Sequence, residues 1–200
     1  MGDHYYTQTP GAKHEHREHE TVLRGQQLRF MTDAGVFSKT GVDYGTRMLV
    51  EALDIGPDAR VLDVGCGYGP IGISAARLAP RGQITMIDIN ERAVQLAANN
   101  AKLNGVSNVT VIQSDLFERV REQSFDVIIT NPPIRAGKMI VNAIFEEGAK
   151  LLVPGGYMWV VIQKKQGAPS AEAKLDAIFG NVEVVTKDKG YRILRSQKEE

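Results

Sequence analysis

Asn131-Pro132-Pro133-Ile134 follows an apolar run, Phe125 to Ile129 (FDVII), and Thr130. Two prolines stiffen a backbone that leaves a buried strand. The Asn131 Oδ1 and the Pro132 carbonyl then form a pair of acceptors. Such a pair can hold both hydrogens of an NH2 group and aim the nitrogen lone pair at an electrophile. Catalysis of that kind is mostly positioning and electrostatics. The competing reading is a rigid turn capped by Asn131.

A second constellation lies upstream, where Arg60 to Gly72 reads RVLDVGCGYGPIG. Arg60 to Val64 is a short apolar strand with Asp63 near its carboxyl end. Gly65, Gly67 and Gly69 follow, and Pro70-Ile71-Gly72 opens an apolar helical stretch. Alternate glycines let the chain turn tightly and approach a ligand closely. Free N–H groups of the turn and of the next helix can face that ligand. The following strand, Gln83 to Ile87, ends at Asp88, whose carboxylate can accept both hydroxyls of a ribose. A dinucleotide oxidoreductase is a competing reading. An adenosine-containing cofactor is the leading reading, and a purely structural turn the alternative.

The elements that must position these residues alternate regularly from Arg60 onward. Strands are expected at 60–64, 83–87, 109–112, 125–129 and 157–162, with a closing hairpin at 182–185 and 191–194. Helices are expected at 44–53, 70–79, 91–103, 138–152 and 172–179. The fold is therefore α/β: a doubly wound, seven-stranded sheet with an antiparallel end. Thr21 to Leu23 and Gln26 to Phe30 add an N-terminal β-hairpin in front of it. Ligands of such sheets bind beyond the carboxyl ends of the strands. Asp63, Asp88, Asp115 and Asn131 all fall there, so one crevice can gather all four. Residues 1–35 form an arm and hairpin of the same unit, and 36–200 the main domain.

Several segments stay open to two readings. The stretch GVFSKTGVD can close over a ligand, or can be a loop anchored by a buried Phe37. Asp43 can cap the helix starting at Tyr44 or point at the cofactor. His14, His16 and His19 have a spacing that can hold a metal in principle, but no motif supplies a fourth ligand, and a solvated arm is expected. The start of the chain looks loose, pinned at Tyr5 and Tyr6. Arg135, Lys138, Lys164 and Lys165 fall near one rim and can hold phosphates, while Gln163 or Gln166 reads a base edge. The alternative is a solvated positive rim.

Composition sets the outer bounds. Two hundred residues suffice for one well-cored domain, and 24 basic residues balance 24 acidic ones. Global charge thus gives no sign of a nucleic-acid partner, and any such site must be local. Cys66 is the single cysteine, which excludes a disulfide framework; a small side chain packed beside the turn is expected. Without a signal peptide or long apolar span, the expected location is the cytoplasm, with no membrane partner.

DVGCGYGPIG followed by Asp88 looks like the S-adenosylmethionine (SAM) site of class I methyltransferases. Taken with GVFSKTGVDYGTRMLVE, SDLF at Ser114 to Phe117 and TNPPIRAGK, the chain resembles the small-domain methyltransferases that include the 16S ribosomal RNA guanine-N2 enzymes. QKKQGAPS at Gln163 to Ser170 looks like a mark of small bacterial members. The resemblance runs from about Phe30 to the end. It implies that Asp63, Gly65, Cys66, Gly67, Tyr68 and Gly69 hold the methionine part of SAM. Asp88 and Ile89 would hold the ribose, Asp115 and Leu116 the adenine, and Asn131 and Pro132 the target amine. Phe37, Pro133, Ile134, Arg135, Lys138, Lys164 and Lys165 would meet the substrate. Ribosomal RNA or the small-subunit particle is the implied partner of a monomer or homodimer. Many amino methyltransferases carry an aromatic residue where this chain has Ile134, which leaves Phe37 as a substitute for stacking on a flipped base. The large ribosomal relatives also carry a second, N-terminal domain; a second subunit or another RNA grip would stand in for it. The rival readings are a protein glutamine-N5 methyltransferase, a DNA adenine-N6 enzyme and a non-catalytic SAM-binding RNA module.

Overall fold

The computed structural model describes Gln8, residues 13–38 and residues 40–199. Tyr5, Tyr6 and Lys39 lie outside the described residues. The chain begins with a hairpin, β1 (Arg17–Leu23) and β2 (Gln26–Thr32). Helix α1 (Tyr44–Ala52) follows, then β3 (Arg60–Val64), α2 (Pro70–Leu78), β4 (Gln83–Asp88), α3 (Glu91–Leu103), β5 (Val109–Gln113) and β6 (Phe125–Thr130). The chain continues with α4 (Lys138–Leu151), β7 (Leu152–Gln163), α5 (Ala168–Phe179), β8 (Glu183–Asp188) and β9 (Tyr191–Gln197).

The main sheet has the order β5-β4-β3-β6-β7-β9-β8. The first five strands in that order are parallel, and β9 and β8 close the sheet antiparallel. This is the doubly wound, seven-stranded sheet with an antiparallel end that the residue pattern predicts, and the class I methyltransferase architecture that the resemblance implies. The order reverses between β3 and β6, so their carboxyl ends frame a crevice.

Strand alternation sorts the side chains into two layers. Val61 on β3 packs with α1, α2, α3 and the hairpin; Leu62 and Val64 pack with α4 and α5. A strand covered on both faces must be apolar throughout, which explains the runs VLDV and DVIIT apart from their acids.

The hairpin does not extend the main sheet. It forms its own two-stranded sheet against α3, and two asparagines one helical turn apart explain why. Asn100 Oδ1 accepts from Met31 N at 2.8 Å, and its Nδ2 donates to Met31 O at 2.9 Å. Asn104 repeats the pair with Arg29, at 3.0 and 2.7 Å. Their amides act as a surrogate strand along the β2 edge, which would otherwise bury unpaired backbone groups. Leu23, Leu28 and Phe30 then join the core below.

Helix α5 starts four residues earlier than the apolar pattern indicates, at Ala168 rather than Glu172. Pro169 sits in its first turn, where a missing N–H costs nothing, and Gly167 precedes it at φ 106°. Strand β7 also begins before the expected Tyr157, running through Pro154-Gly155-Gly156.

Candidate functional site

Residues beyond the carboxyl ends of β3, β4, β5 and β6 enclose a cavity of about 770 Å³. That volume suits a cofactor-sized ligand with part of a substrate. The glycine turn forms its floor. Gly65 N and Cys66 N donate to Ile87 O at 2.9 and 3.0 Å, which ties the turn to β4. Gly65 and Gly67 have φ of 71° and 57°, and no protein atom lies within 4 Å of the place a Cβ would occupy. The left-handed backbone demands glycine there, and the space beyond is left to a ligand. Cys66 is buried and free, a small packed side chain as expected. Burial pushes its thiol up, so it is held as a neutral thiol.

Asp88 lines one wall. Its Oδ2 accepts from Gly67 N and its Oδ1 from Asn90 N, both at 2.8 Å. Burial pushes this carboxyl up to about 6 against those hydrogen bonds. A carboxylate has four lone-pair sites, so both oxygens keep capacity for a ligand's hydroxyls. Asp115 and Leu116 extend the same wall, and Leu116 takes φ 46° in the tight turn after β5.

Asp63 departs from expectation. It is fully buried and does not reach the cavity wall. It shares the β3 face of Val61, so its side chain lies under the N-terminus of α2. Oδ2 accepts from Gly72 N at 2.9 Å, while Oδ1 meets no donor among the described residues. Burial pushes the carboxyl up to about 7, the Gly72 N–H opposes this, and the Asp88 charge adds to it. Three of the four acids and amides expected in one crevice therefore line it, and Asp63 supports it from behind.

The opposite mouth is built by the turn after β6. Asn131, Pro132, Pro133, Ile134 and Arg135 all line the cavity, the last two in a short 3-10 turn at 134–136. Asn131 Nδ2 donates to Thr46 Oγ1 at 3.0 Å, which leaves Oδ1 as the acceptor end. Asp43 Oδ2 caps α1 by accepting from Thr46 N at 3.2 Å, and the residue also lines the cavity. In the loop before α1 the buried anchor is Val36, at 6% exposure, whereas Phe37 lines the cavity and is 42% exposed.

Gly69, Lys138, Lys164 and Lys165 are not on the wall. Gly69 instead starts α2 at φ 102°. Lys138 opens α4 just outside the mouth. The 3-10 turn at 164–166 exposes both lysines to solvent and brings Gln166 to the wall instead. Thr46 and Gln166 are cavity residues that motif reasoning passes over or leaves undecided. The spacing Asp43 to Thr46, a cap three residues from its partner, is the signal that points to Thr46.

The loop carrying Val36 and Phe37 is latched to the Asp88 wall. Asn90, the N-cap of α3, donates through Nδ2 to Gly35 O at 2.9 Å, and Arg92 donates to Ala34 O. Buried Asp33 receives Glu15 N at 2.6 Å and Ala34 N at 2.8 Å, with His14 Nδ1 at 2.6 Å from its other oxygen. Burial alone would raise the Asp33 carboxyl, but those bonds and the nearby Arg92 charge hold it below the usual carboxylate range. His14, His16 and Asp33 bring one donor atom each within 4.8 Å, and His19 is not part of that group. The Arg92 guanidinium, 3.6 Å from Asp33, already supplies positive charge there. Among the described residues no helix is long and apolar enough to cross a membrane.

Comparison with known proteins agrees with this geometry. Residues 27–195 match the methyltransferase small domain family. A Bacillus subtilis relative, named as uncharacterized protein YbxB, is 50% identical over 99% of this chain and all of its own length. Ribosomal RNA large subunit methyltransferase G of Pseudomonas putida is 33% identical over 96% of this chain and 52% of that protein. The T. thermophilus 16S rRNA N2 methyltransferase RsmC, solved with AdoMet and guanosine, has a TM-score of 0.83. It is 27% identical, with 95% of this chain and 52% of that one covered. The chain thus spans about half the length of those two ribosomal RNA enzymes. With its model matched over residues 27–195, this chain belongs to the methyltransferase small domain family.

Proposed function

We propose that this chain transfers a methyl group from SAM to the exocyclic N2 amine of a guanine in 16S ribosomal RNA. The cofactor is S-adenosylmethionine, which brings an activated methyl on a sulfonium. The carrying observation is the Asn131 carboxamide, held by Nδ2 so that Oδ1 is left for a donor at the mouth of the cofactor cavity. The residues present fit SAM on two counts: the space above Gly65 and Gly67 that a Cβ would enter, and the Asp88 carboxylate on the wall, whose oxygens keep lone pairs beyond their bonds to Gly67 N and Asn90 N.

Each residue then has a task. Asp88 accepts the ribose hydroxyls, and the turn 65–69 receives the methionine part. Asp63 acts from beneath, fixing the α2 N-terminus through Gly72. Asp115 accepts the adenine amine beside Leu116. Asn131 Oδ1 and the Pro132 carbonyl accept the two hydrogens of the target amine, which directs its lone pair along the line of transfer. No strong base is required, because the proton leaves after the nitrogen becomes cationic. Phe37 supplies an aromatic face for the base, where Ile134 offers apolar contact only. Arg135 at the mouth and Lys138 just outside it meet phosphates. A cytoplasmic location accompanies a ribosomal RNA substrate.

A second reading is large-subunit RNA, favoured by the 33% identity to the P. putida enzyme named for that subunit. Transfer of labelled methyl to 16S and 23S RNA, 30S and 50S particles, DNA and protein extract separates these. The reading expects label in 16S RNA or 30S particles, recovered as N2-methylguanosine. Label in 23S RNA alone would move the target to the large subunit, and label in protein alone would overturn the RNA assignment.

A further inference from the structure

We infer that Thr46 is a positioning residue for methyl transfer, because its hydroxyl holds Asn131 by Nδ2 and so pins the carboxamide that meets the target amine. The inference rests on the role given to Asn131 above.

A carboxamide has two nearly isosteric ends, one an acceptor and one a double donor. Turned by 180°, Asn131 would present NH2 to an incoming NH2, and the acceptor pair would be lost. The β6 strand end places the side chain but leaves its rotation open, and the Thr46 hydroxyl pins it by accepting from Nδ2. Its Oγ1 lies 3.0 Å from Asn131 Nδ2, across 85 residues of sequence. Among the described residues this is the hydrogen bond of the Asn131 side chain.

Thr46 is itself held firmly. It is 3% exposed, in the first turn of α1, and its N–H is engaged by the cap residue Asp43 at 3.2 Å. The helix is fixed from the hairpin side, where Arg47 donates to Val22 O and Thr21 Oγ1, each at 2.7 Å. From the far side the Tyr191 ring comes so close that a Cβ on Gly45 would lie 2.7 Å from it. Leu49 and Val50 are fully buried below. A chain of fixed contacts therefore runs from the hairpin through α1 to the orientation of one amide at the cavity mouth. It also gives Asp43 an indirect part: by capping α1 it fixes the turn on which Thr46 sits.

The test is single-turnover methyl transfer to 16S and 23S RNA transcripts and to 30S and 50S particles, with SAM affinity measured by calorimetry on the same proteins. Thr46→Val keeps the shape and removes the hydroxyl. It should lower the transfer rate about tenfold, from loss of one net hydrogen bond that holds Asn131 in place, with RNA KM and SAM affinity within about twofold. Thr46→Ser should restore the rate to within about twofold, which a purely steric role for the threonine would not require. In an Asn131→Ala background, Thr46→Val should cost no more than about twofold further, since no amide remains to orient. If the valine variant fails to fold, Thr46→Ala carries the same comparison. A valine or alanine variant at the parent rate, with Asn131→Ala defective, overturns this inference alone. A parent rate in Asn131→Ala, or no transfer to RNA or particles by the parent protein, overturns the reading of Asn131 and this inference together.

Discussion

Replacing Asp63 by asparagine tests the claim that this acid supports the site from a dry position behind the glycine turn. Asp63 is fully buried, with one oxygen on Gly72 N and the other without a donor among the described residues. Its carboxyl is pushed up to about 7 from the ordinary 3.8, first by burial. A raised carboxyl means that the folded protein holds a proton the unfolded chain has already lost. The resulting destabilisation is absent below the unfolded value of 3.8, grows as pH rises toward 7 and is constant above it. At 1.36 kcal/mol per pKa unit the full effect is about 4 kcal/mol, and about 1.5 kcal/mol of it is already present at pH 5. Asparagine is of equal size and cannot ionise. Any cost of its unpaired N–H2 is the same at every pH, so the pH-dependent part isolates the ionisation. Urea unfolding without SAM should therefore show the parent losing about 2.5 kcal/mol relative to Asp63→Asn between pH 5 and pH 9. A constant difference between the two proteins across that range would refute the reasoning and place Asp63 in contact with solvent.

The remaining predictions concern the hairpin and the rim. Asn100→Ala strips partners from Met31 N, Met31 O and Tyr68 O, and should destabilise the protein by about 3 kcal/mol or more in urea unfolding. A loss under about 1 kcal/mol would mean the β2 edge finds other partners. Arg135→Ala should raise the RNA KM and reduce the salt slope of binding by about 1, with turnover little changed. A fall in turnover at unchanged KM would move Arg135 from phosphate contact to the reacting centre.

Much of the architecture is legible because its signals are local. VLDVGCGYGPIG shows strand, turn and helix within a dozen residues, and the alternation that follows gives the seven strands. The cavity wall is legible for the same reason, since Asp88 and Asp115 stand at or just beyond strand ends. Asp63 is misplaced by that rule although period-2 alternation from Val61 would put it on the α2 face. The N-terminal hairpin is legible as strands but not in its docking, because Asn100 looks like an ordinary helix residue and Asn104 like a helix stop. The Thr46–Asn131 contact joins residues 85 positions apart, and only the folded chain brings them together. The lysine pair at 164–165 is exposed beside the wall residue Gln166, because the 3-10 turn there gives Gln166 to the cavity and the lysines to solvent.

The most direct test of the central claim is single-turnover methyl transfer by Asn131→Ala with saturating SAM. The residue sits at a strand end facing the cavity, so fold and SAM affinity should change little. Loss of one of two acceptors for the target amine should slow transfer about a hundredfold to a thousandfold, roughly 2.7–4 kcal/mol of transition-state stabilisation. Transfer at the parent rate would make the Asn131-Pro132 turn a structural feature and contradict the active-site assignment.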